Sequence, residues 1–353
     1  MPFDFSSLSV LANLGIFAAA CMVVWIAGTR LATYADAISG RTRLSKAFLG
    51  LILLGVATSL PEIVTTITGA LLDNARLVAG NLFGGVALQV AVLAIVDLIA
   101  VRGALTYFTP QPALLFQAVM LLLLLSIAIA GAAAGDPVSL FGFGLTPLVL
   151  LAGYVFTVRL SRPGDDHLPR WRATNAPDEA QDSAASQRER SRAMDEVPTS
   201  GLYARSAVAA LAILVAGWAL AQAGDALSKQ TGLSASFVGV ALVAASTSLP
   251  ELSTALAAVR QGNHQMAVSN ILGTNCLEVA LFVLADAAYR GGPILAQTDA
   301  SALFAAATGM VVTAIYLLGL LERRDRTVLR MGYDSVAVLV AYAVGVTGVY
   351  LLG

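Results

Sequence analysis

Thr58-Ser59-Leu60-Pro61-Glu62 and Thr247-Ser248-Leu249-Pro250-Glu251 are one pentapeptide met twice in a chain of 353 residues, each time inside a long apolar run. A glutamate in such a run is costly, because the bilayer centre disfavours an acidic side chain by at least about 2.5–3.5 kcal/mol. The same costly element, repeated in matching surroundings, indicates one polar site assembled from two halves of a membrane protein.

The composition agrees. Hydrophobic residues make up 58% of the chain and charged residues 12%, against about 25% charged in soluble domains, and mean hydropathy is +0.78. Ten apolar runs approach the roughly 20 residues that a bilayer requires: Leu8–Thr29, Ala47–Leu72, Leu77–Val101, Pro110–Ala132, Ser139–Val158, Ser206–Ala223, Ser236–Val259, Met266–Ala288, Ala300–Leu320 and Ser335–Leu352. The expected class is an all-α polytopic membrane protein. The first run lacks a basic leader and a small-residue cleavage site, so it reads as a retained helix.

Shifting the chain by 189 residues superimposes the two pentapeptides and much around them. Ala27-Gly28 meets Ala216-Gly217, Asp36 meets Asp225, Phe48 and Gly50 meet Phe237 and Gly239, Asn81 meets Asn270, Gly84 meets Gly273, and Asp97 meets Asp286. From Ala27 to Glu62, eighteen of thirty-six positions are identical without a gap. The expected organisation is a first membrane repeat over 1–158, a polar linker over 159–205 and a second repeat over 206–353. With five spans each, the halves enter the membrane from opposite sides, so the repeats are inverted, with the site at the midplane where interrupted helices meet.

Charge sets the expected orientation. With the N-terminus outside, eighteen Lys and Arg fall on one side and three (Arg76, Lys229 and Arg290) on the other. The richer side, which includes the linker, is then cytoplasmic, and the expected location is a cell (inner) membrane. The linker reads as a solvated stretch, with a lipid-binding or regulatory role resting only on its basic ends. Cys21 and Cys276 each sit within a span, which argues against a disulfide framework. His167 and His264 fall in loops, which excludes a histidine-based centre within the membrane.

Thr58, Ser59 and Glu62 share a helical face. Pro61 and Pro250 cannot donate to the carbonyls of Ala57 and Ser246, and in lipid a freed carbonyl needs another partner, which a cation can be. The following helix adds Asn81, Gly85 and Gln89 in steps of four, and its counterpart adds Asn270, Thr274 and Glu278, with Asn275 alongside. Pooled, Glu62, Glu251, Glu278, Asn81, Asn270, Gln89 and the hydroxyls of Thr58, Ser59, Thr247 and Ser248 offer hard oxygens of the kind that Ca²⁺ and Na⁺ take, and enough for the six to eight that Ca²⁺ wants.

The plainer readings differ by residue. Ser and Thr in membrane helices often bond back to their own helix, Gly28, Gly50, Gly84 and Gly273 suit close packing, and Asn81 and Asn270 can tie helices together. Asp36 and Asp225 read as solvated charges at helix ends, Asp97 and Asp286 as interfacial. No plain reading accounts for Glu62 and Glu251, and it is weak for Glu278: an acid without Lys or Arg in its own span needs a cation or a proton.

Gly55-Val-Ala-Thr-Ser-Leu-Pro-Glu62 with Gly80-Asn-Leu-Phe-Gly84, and Ala244-Ala-Ser-Thr-Ser-Leu-Pro-Glu251 with Ser269-Asn-Ile-Leu-Gly-Thr-Asn275, resemble the two alpha-repeats of the sodium/calcium exchanger family, within the cation/Ca²⁺ antiporter superfamily. The resemblance implies alternating access, with Ca²⁺ and a driving cation competing for one cluster. It implies Glu62 and Glu251 as the main Ca²⁺ ligands, and Thr58, Ser59, Thr247 and Ser248 along Na⁺ sites, helped by carbonyls near Gly55 and Ala244. Against the family pattern Gly-Ser-Asn-x-x-Asn/Asp, the first repeat (Gly84-Gly85-Val86-Ala-Leu-Gln89) lacks the serine and the first asparagine and ends in Gln. The second (Gly273-Thr274-Asn275-Cys-Leu-Glu278) keeps a hydroxyl and lengthens the acid; Gln89 and Glu278 each add a methylene. A serine at position 85 is the obvious restoration.

The expected function is a Ca²⁺ antiporter driven by Na⁺, with an H⁺-driven divalent-cation antiporter as the alternative and a passive cation channel as a third class. An intramembrane enzyme lacks a nucleophile–base set. Bilayer lipid and inorganic cations are the expected partners, with no nucleic acid and no cofactor; oligomeric state is left open.

Overall fold

Where an apolar run carries no breaker, the chain forms one uninterrupted helix. The computed structural model describes residues 5–41, 58–101, 103–109, 111–140, 143–160, 198–260, 262, 264–328 and 330–353. Gly50, Gly55, Ala57, His167, the first part of the run Ala47–Leu72 and most of the polar linker lie outside them, as does the side chain of Asp36. Helices α1 (Val10–Arg41) and α6 (Thr199–Thr231) have 32 and 33 residues. At 1.5 Å per residue each is roughly 50 Å long, well beyond the ~30 Å hydrocarbon layer. Both outrun the expected Leu8–Thr29 and Ser206–Ala223, because their flanks are rich in Ala, Leu and other good helix formers. They lie side by side through Ala27, Leu31, Ala209 and Ile213, and through Phe17, Val24, Ala216 and Leu220.

The remaining helices are α2 (Leu60–Leu71), α3 (Ala75–Ala100), α4 (Pro112–Ala133), α5 (Leu145–Leu160), α7 (Ala235–Thr247), α8 (Leu249–Arg260), α9 (His264–Ala288, interrupted at Leu281), α10 (Ala300–Glu322) and α11 (Tyr333–Leu352). Among the described residues seven helices are long and apolar enough to cross a bilayer, or eight if α7 and α8, which bend by 45° at their junction, form one span. Two more, α2 and α5, are apolar but shorter.

The burial of α3 (78%) and α9 (67%), against 28% for α1 and 22% for α11, puts α3 and α9 at the centre. There Phe83 of α3 and Phe282 of α9 meet at 4.8 Å between ring centroids. Helix α7 crosses α3 with backbone almost in contact, and a Cβ added at Gly84 would lie 2.6 Å from Cα of Val240. Gly84→Ala should therefore destabilise the protein by about 1–3 kcal/mol, the usual cost of overpacking. Thermal unfolding in detergent measures this, and an unchanged Tm would contradict the crossing.

The run Ser139–Val158 does not form the single helix expected of it. Gly135 and Asp136 adopt positive φ (73° and 42°) and stop α4, the chain makes a two-strand ribbon (Ser139–Leu140 with Phe143–Gly144), and helix begins only at Leu145. Asp136 Oδ1 holds the start of α5 by accepting from Thr146 N (3.1 Å) and Oγ1 (2.8 Å). The second half repeats the ribbon, Thr327–Val328 with Met331–Gly332, ahead of α11.

These ribbons explain Asp97 and Asp286, which lie near the ends of α3 and α9 and are buried within the protein. Asp97 accepts from Leu105 N (2.9 Å), Gly332 N (2.9 Å) and Ser335 Oγ (2.6 Å), and so clamps the ribbon of the other half. Asp286 accepts from Ile294 N and Gly144 N, both at 2.7 Å, and clamps the first ribbon in return. Asp225 is not a solvated end charge either: it is 5% exposed within α6 and accepts from Asn74 Nδ2 and Lys229 Nζ, each at 2.7 Å.

Candidate ion-binding site

Each repeated pentapeptide holds a residue at which helix geometry fails. Ser59 and Ser248 have φ/ψ of −83°/7° and −78°/4°, between the helical and extended basins, and a new helix starts immediately after each. The prolines cause this. Pro61 and Pro250 stand at the second residue of α2 and α8, where a missing N–H costs nothing to the new helix, and Pro250 interrupts α7 before it. Glu62 and Glu251 follow in the first turns, so each acid is placed beside a helix break near the centre of the bundle.

Every residue expected at the site except Asn270 is buried. Thr58, Glu62, Gln89, Thr247, Glu251 and Asn275 have no exposed surface, and Ser59, Asn81, Ser248, Thr274 and Glu278 have 4% or less. The three glutamates lie within electrostatic range: Glu62 senses Glu251 and Glu278, and Glu278 senses Glu251. The halves also exchange hydroxyls, Thr247 standing against Glu62 and Thr58 against Glu251. Those contacts are looser than hydrogen bonds, since both oxygens of Glu62 and of Glu251 have no hydrogen-bond partner among the described residues.

The same holds for Ser59 Oγ, Ser248 Oγ, Asn81 Oδ1, Asn275 Oδ1, Gln89 Oε1 and Glu278 Oε1. Ten buried side-chain oxygens in one region thus lack a donor, whereas buried polar atoms are normally paired. Nor is there a basic counter-charge, for no Lys or Arg among the described residues is buried. The amide nitrogens, by contrast, are tied down, which directs the carbonyl ends. Asn81 Nδ2 donates to Thr65 Oγ1 (3.2 Å), Asn275 Nδ2 to Val86 O (3.3 Å) and Gln89 Nε2 to Glu278 Oε2 (3.2 Å).

The acids do not form a cage alone, for no group of three His, Cys, Asp or Glu among the described residues is close enough to hold one metal ion. A cation here takes neutral oxygens along with the carboxylates. Thr247 follows the plainer reading in part, its hydroxyl donating to Ala244 O (3.3 Å), which also accepts from Ser248 N (3.0 Å). The Ala244 carbonyl is therefore already engaged. Asn270 stands apart, half-buried in a crevice with Gln117, Tyr154, Thr157, Ser269 and Thr274.

Sequence reasoning passed over Thr65 and Thr66. Thr65 accepts from Asn81 and donates to the carbonyls of Pro61 and Glu62, and Thr66 Oγ1 is a further buried oxygen without a partner. The match of Thr65 to Thr254 at the 189-residue offset was the available signal; Thr254 Oγ1 likewise donates to Glu251 O (3.1 Å). A Cβ on Gly85 would fall on Glu278 Oε1, so the carboxylate of Glu278 occupies the space that a serine at position 85 would enter, and the site is built around Gln89 and Glu278 there.

Fold and site together define a polytopic membrane protein with an oxygen-rich acidic cluster at the crossing of broken helices. The chain belongs to the sodium/calcium exchanger protein family, whose sequence profile matches residues 12–160 and again residues 202–351. It is an integral membrane protein, and its family is one of antiporters rather than enzymes. Inner membrane protein YrbG of Escherichia coli (strain K12) is 26% identical over 251 residues, 70% of either chain. The putative antiporter CaxA of Alkalimonas amylolytica is 25% identical over 326 residues, 90% of this chain and 93% of that protein. In fold, the crystal structure of the H⁺/Ca²⁺ exchanger CAX superimposes with a TM-score of 0.69 at 11% identity, over 96% of this chain and 86% of that one.

Proposed function

We propose that this protein is a secondary antiporter that exchanges Ca²⁺ for Na⁺ by alternating access at the cluster of Glu62, Glu251 and Glu278. The observation that carries this reading is the set of ten buried oxygens that lack donors among the described residues, on eight side chains of which three are carboxylates, with no buried Lys or Arg among the described residues. A desolvated cation supplies what those atoms lack. The helix breaks supply Thr58, Ser59, Thr247 and Ser248, and α3 and α9 supply Asn81, Gln89, Thr274, Asn275 and Glu278. Asn270 shares a crevice with Thr274.

Ten spans in two inverted repeats, 1–158 and 206–353, suit this function, since the second copy of each device then faces the opposite side. The exchanged clamps of Asp97 and Asp286 and the paired ribbons support that symmetry. The positive-inside balance places the N-terminus outside and the 159–205 linker in the cytoplasm. A second reading, H⁺ in place of Na⁺, is favoured by Glu278, an additional acid in a cluster that already holds two.

Purified protein in liposomes loaded with Na⁺ should take up ⁴⁵Ca²⁺ when diluted into Na⁺-free medium. Uptake that follows an imposed pH gradient and ignores Na⁺ selects the second reading. No gradient-dependent uptake under either condition rejects antiport.

A further inference from the structure

Gly85 and Glu278 are a matched pair. Glu278 projects from α9 against α3 with Oε1 over the Cα of Gly85, in the space that any side chain at position 85 would enter. Its other oxygen accepts from Gln89 Nε2 at 3.2 Å, one turn along α3 from Gly85. Oε1 itself has no hydrogen-bond partner among the described residues. Gly85 thus provides the room and Gln89 the tether, and the two fix one carboxylate oxygen beside α3. By the 189-residue offset Gln89 is the counterpart of Glu278, and Gly85 that of Thr274, so the second half keeps a hydroxyl where the first keeps only a hydrogen.

From this geometry we infer that the Gly85–Gln89–Glu278 cluster is the specificity element of the site, a carboxylate oxygen taking the place of a neutral hydroxyl so that this subsite favours a divalent cation over Na⁺. The inference rests on the reading of the site as a cation site. Its physical basis is charge. At equal distance either group attracts a divalent ion twice as strongly as a monovalent one. The energy that is doubled is far larger for the full charge of a carboxylate than for the dipole of a hydroxyl, so the carboxylate widens the absolute preference for the divalent ion. The added methylene of Glu278 is what lets its oxygen reach across to α3, and the absence of a Cβ at Gly85 is what admits it.

The test is a double-mutant cycle on the purified full chain. Ca²⁺ affinity is read by calorimetry, and Na⁺ by its inhibition of ⁴⁵Ca²⁺ binding. Gly85→Ser alone should weaken Ca²⁺ binding by roughly tenfold or more, because the new side chain displaces Oε1 from its position. Glu278→Asp alone should weaken it similarly, because the shorter acid leaves the pocket above Gly85. The double variant should recover most of the affinity, since the shorter acid vacates the space the serine fills, and should be inhibited by Na⁺ at roughly tenfold lower concentration than the wild type. Additive losses without recovery, or unchanged Na⁺ inhibition in the double variant, would overturn the inference. Glu278→Gln keeps the shape and removes the charge, so it guards against misfolding of the cycle variants. It should reduce the preference for Ca²⁺ over Na⁺, and an unchanged preference also overturns the inference. Wild-type protein that binds no Ca²⁺ at all would instead reject the underlying site.

Discussion

Glu62→Gln and Glu251→Gln, each made alone, should reduce Ca²⁺ uptake into proteoliposomes by about 100-fold or more while leaving a monodisperse, inserted protein. Glutamine keeps the shape of the side chain but removes a unit charge and turns one ligand oxygen into an N–H donor facing the ion. Unit charges 4 Å apart at an effective dielectric of 20 interact by about 4 kcal/mol, and by twice that with a divalent ion. Even half of the divalent figure, about 4 kcal/mol, exceeds 100-fold at about 1.4 kcal/mol per factor of ten. The fold has little to lose, because neither oxygen of either glutamate has a hydrogen-bond partner among the described residues. Tm should therefore be equal or higher for the variants in chelator, where the wild type carries uncompensated buried acids, and the rise in Tm with Ca²⁺ should be confined to the wild type. Wild-type uptake by both variants would remove Glu62 and Glu251 from the site. A Tm loss in chelator would make them structural.

The acids of the pentapeptides were legible because their cost is local. A glutamate in an apolar run with no basic neighbour is anomalous on sequence alone, and its exact repetition after 189 residues made the anomaly a pair. The helix breaks were legible for the same reason, as proline acts within four residues of itself. Position 85 was not, because its meaning depends on a residue in the other half. Sequence shows a missing hydroxyl in one place and a lengthened acid in another, and only the packing of α3 on α9 makes the two one feature. The ribbons were hidden differently. Ser139–Val158 carries no charged residue, and hydropathy does not distinguish helix from a short ribbon whose backbone is held by a distant aspartate. Asp97 looked interfacial because it falls near a helix end, while two of its three donors lie 235 and 238 residues away.

Those distant donors make Asp97 the most consequential structural acid in the chain. Asp97→Ala should lower stability by about 3 kcal/mol or more. It strands the N–H groups of Leu105 and Gly332 and the hydroxyl of Ser335 in a buried setting, at about 1–3 kcal/mol for each unsatisfied group. Asp286→Ala strands only Gly144 N and Ile294 N and should cost less. Asp97→Asn should fall between wild type and alanine, since one amide oxygen still accepts while the amide nitrogen confronts a donor. The readouts are Tm and monodispersity in detergent, paired with Ca²⁺ affinity of the folded fraction. A clamp that joins one half's central helix to the other half's ribbon predicts a lower Tm with unchanged affinity. Loss of transport at an unchanged Tm would instead place Asp97 on the path of the ion. The clamps are reciprocal, so Asp97→Ala combined with Asp286→Ala should leave neither ribbon anchored, and the double variant should not yield folded protein at 37 °C.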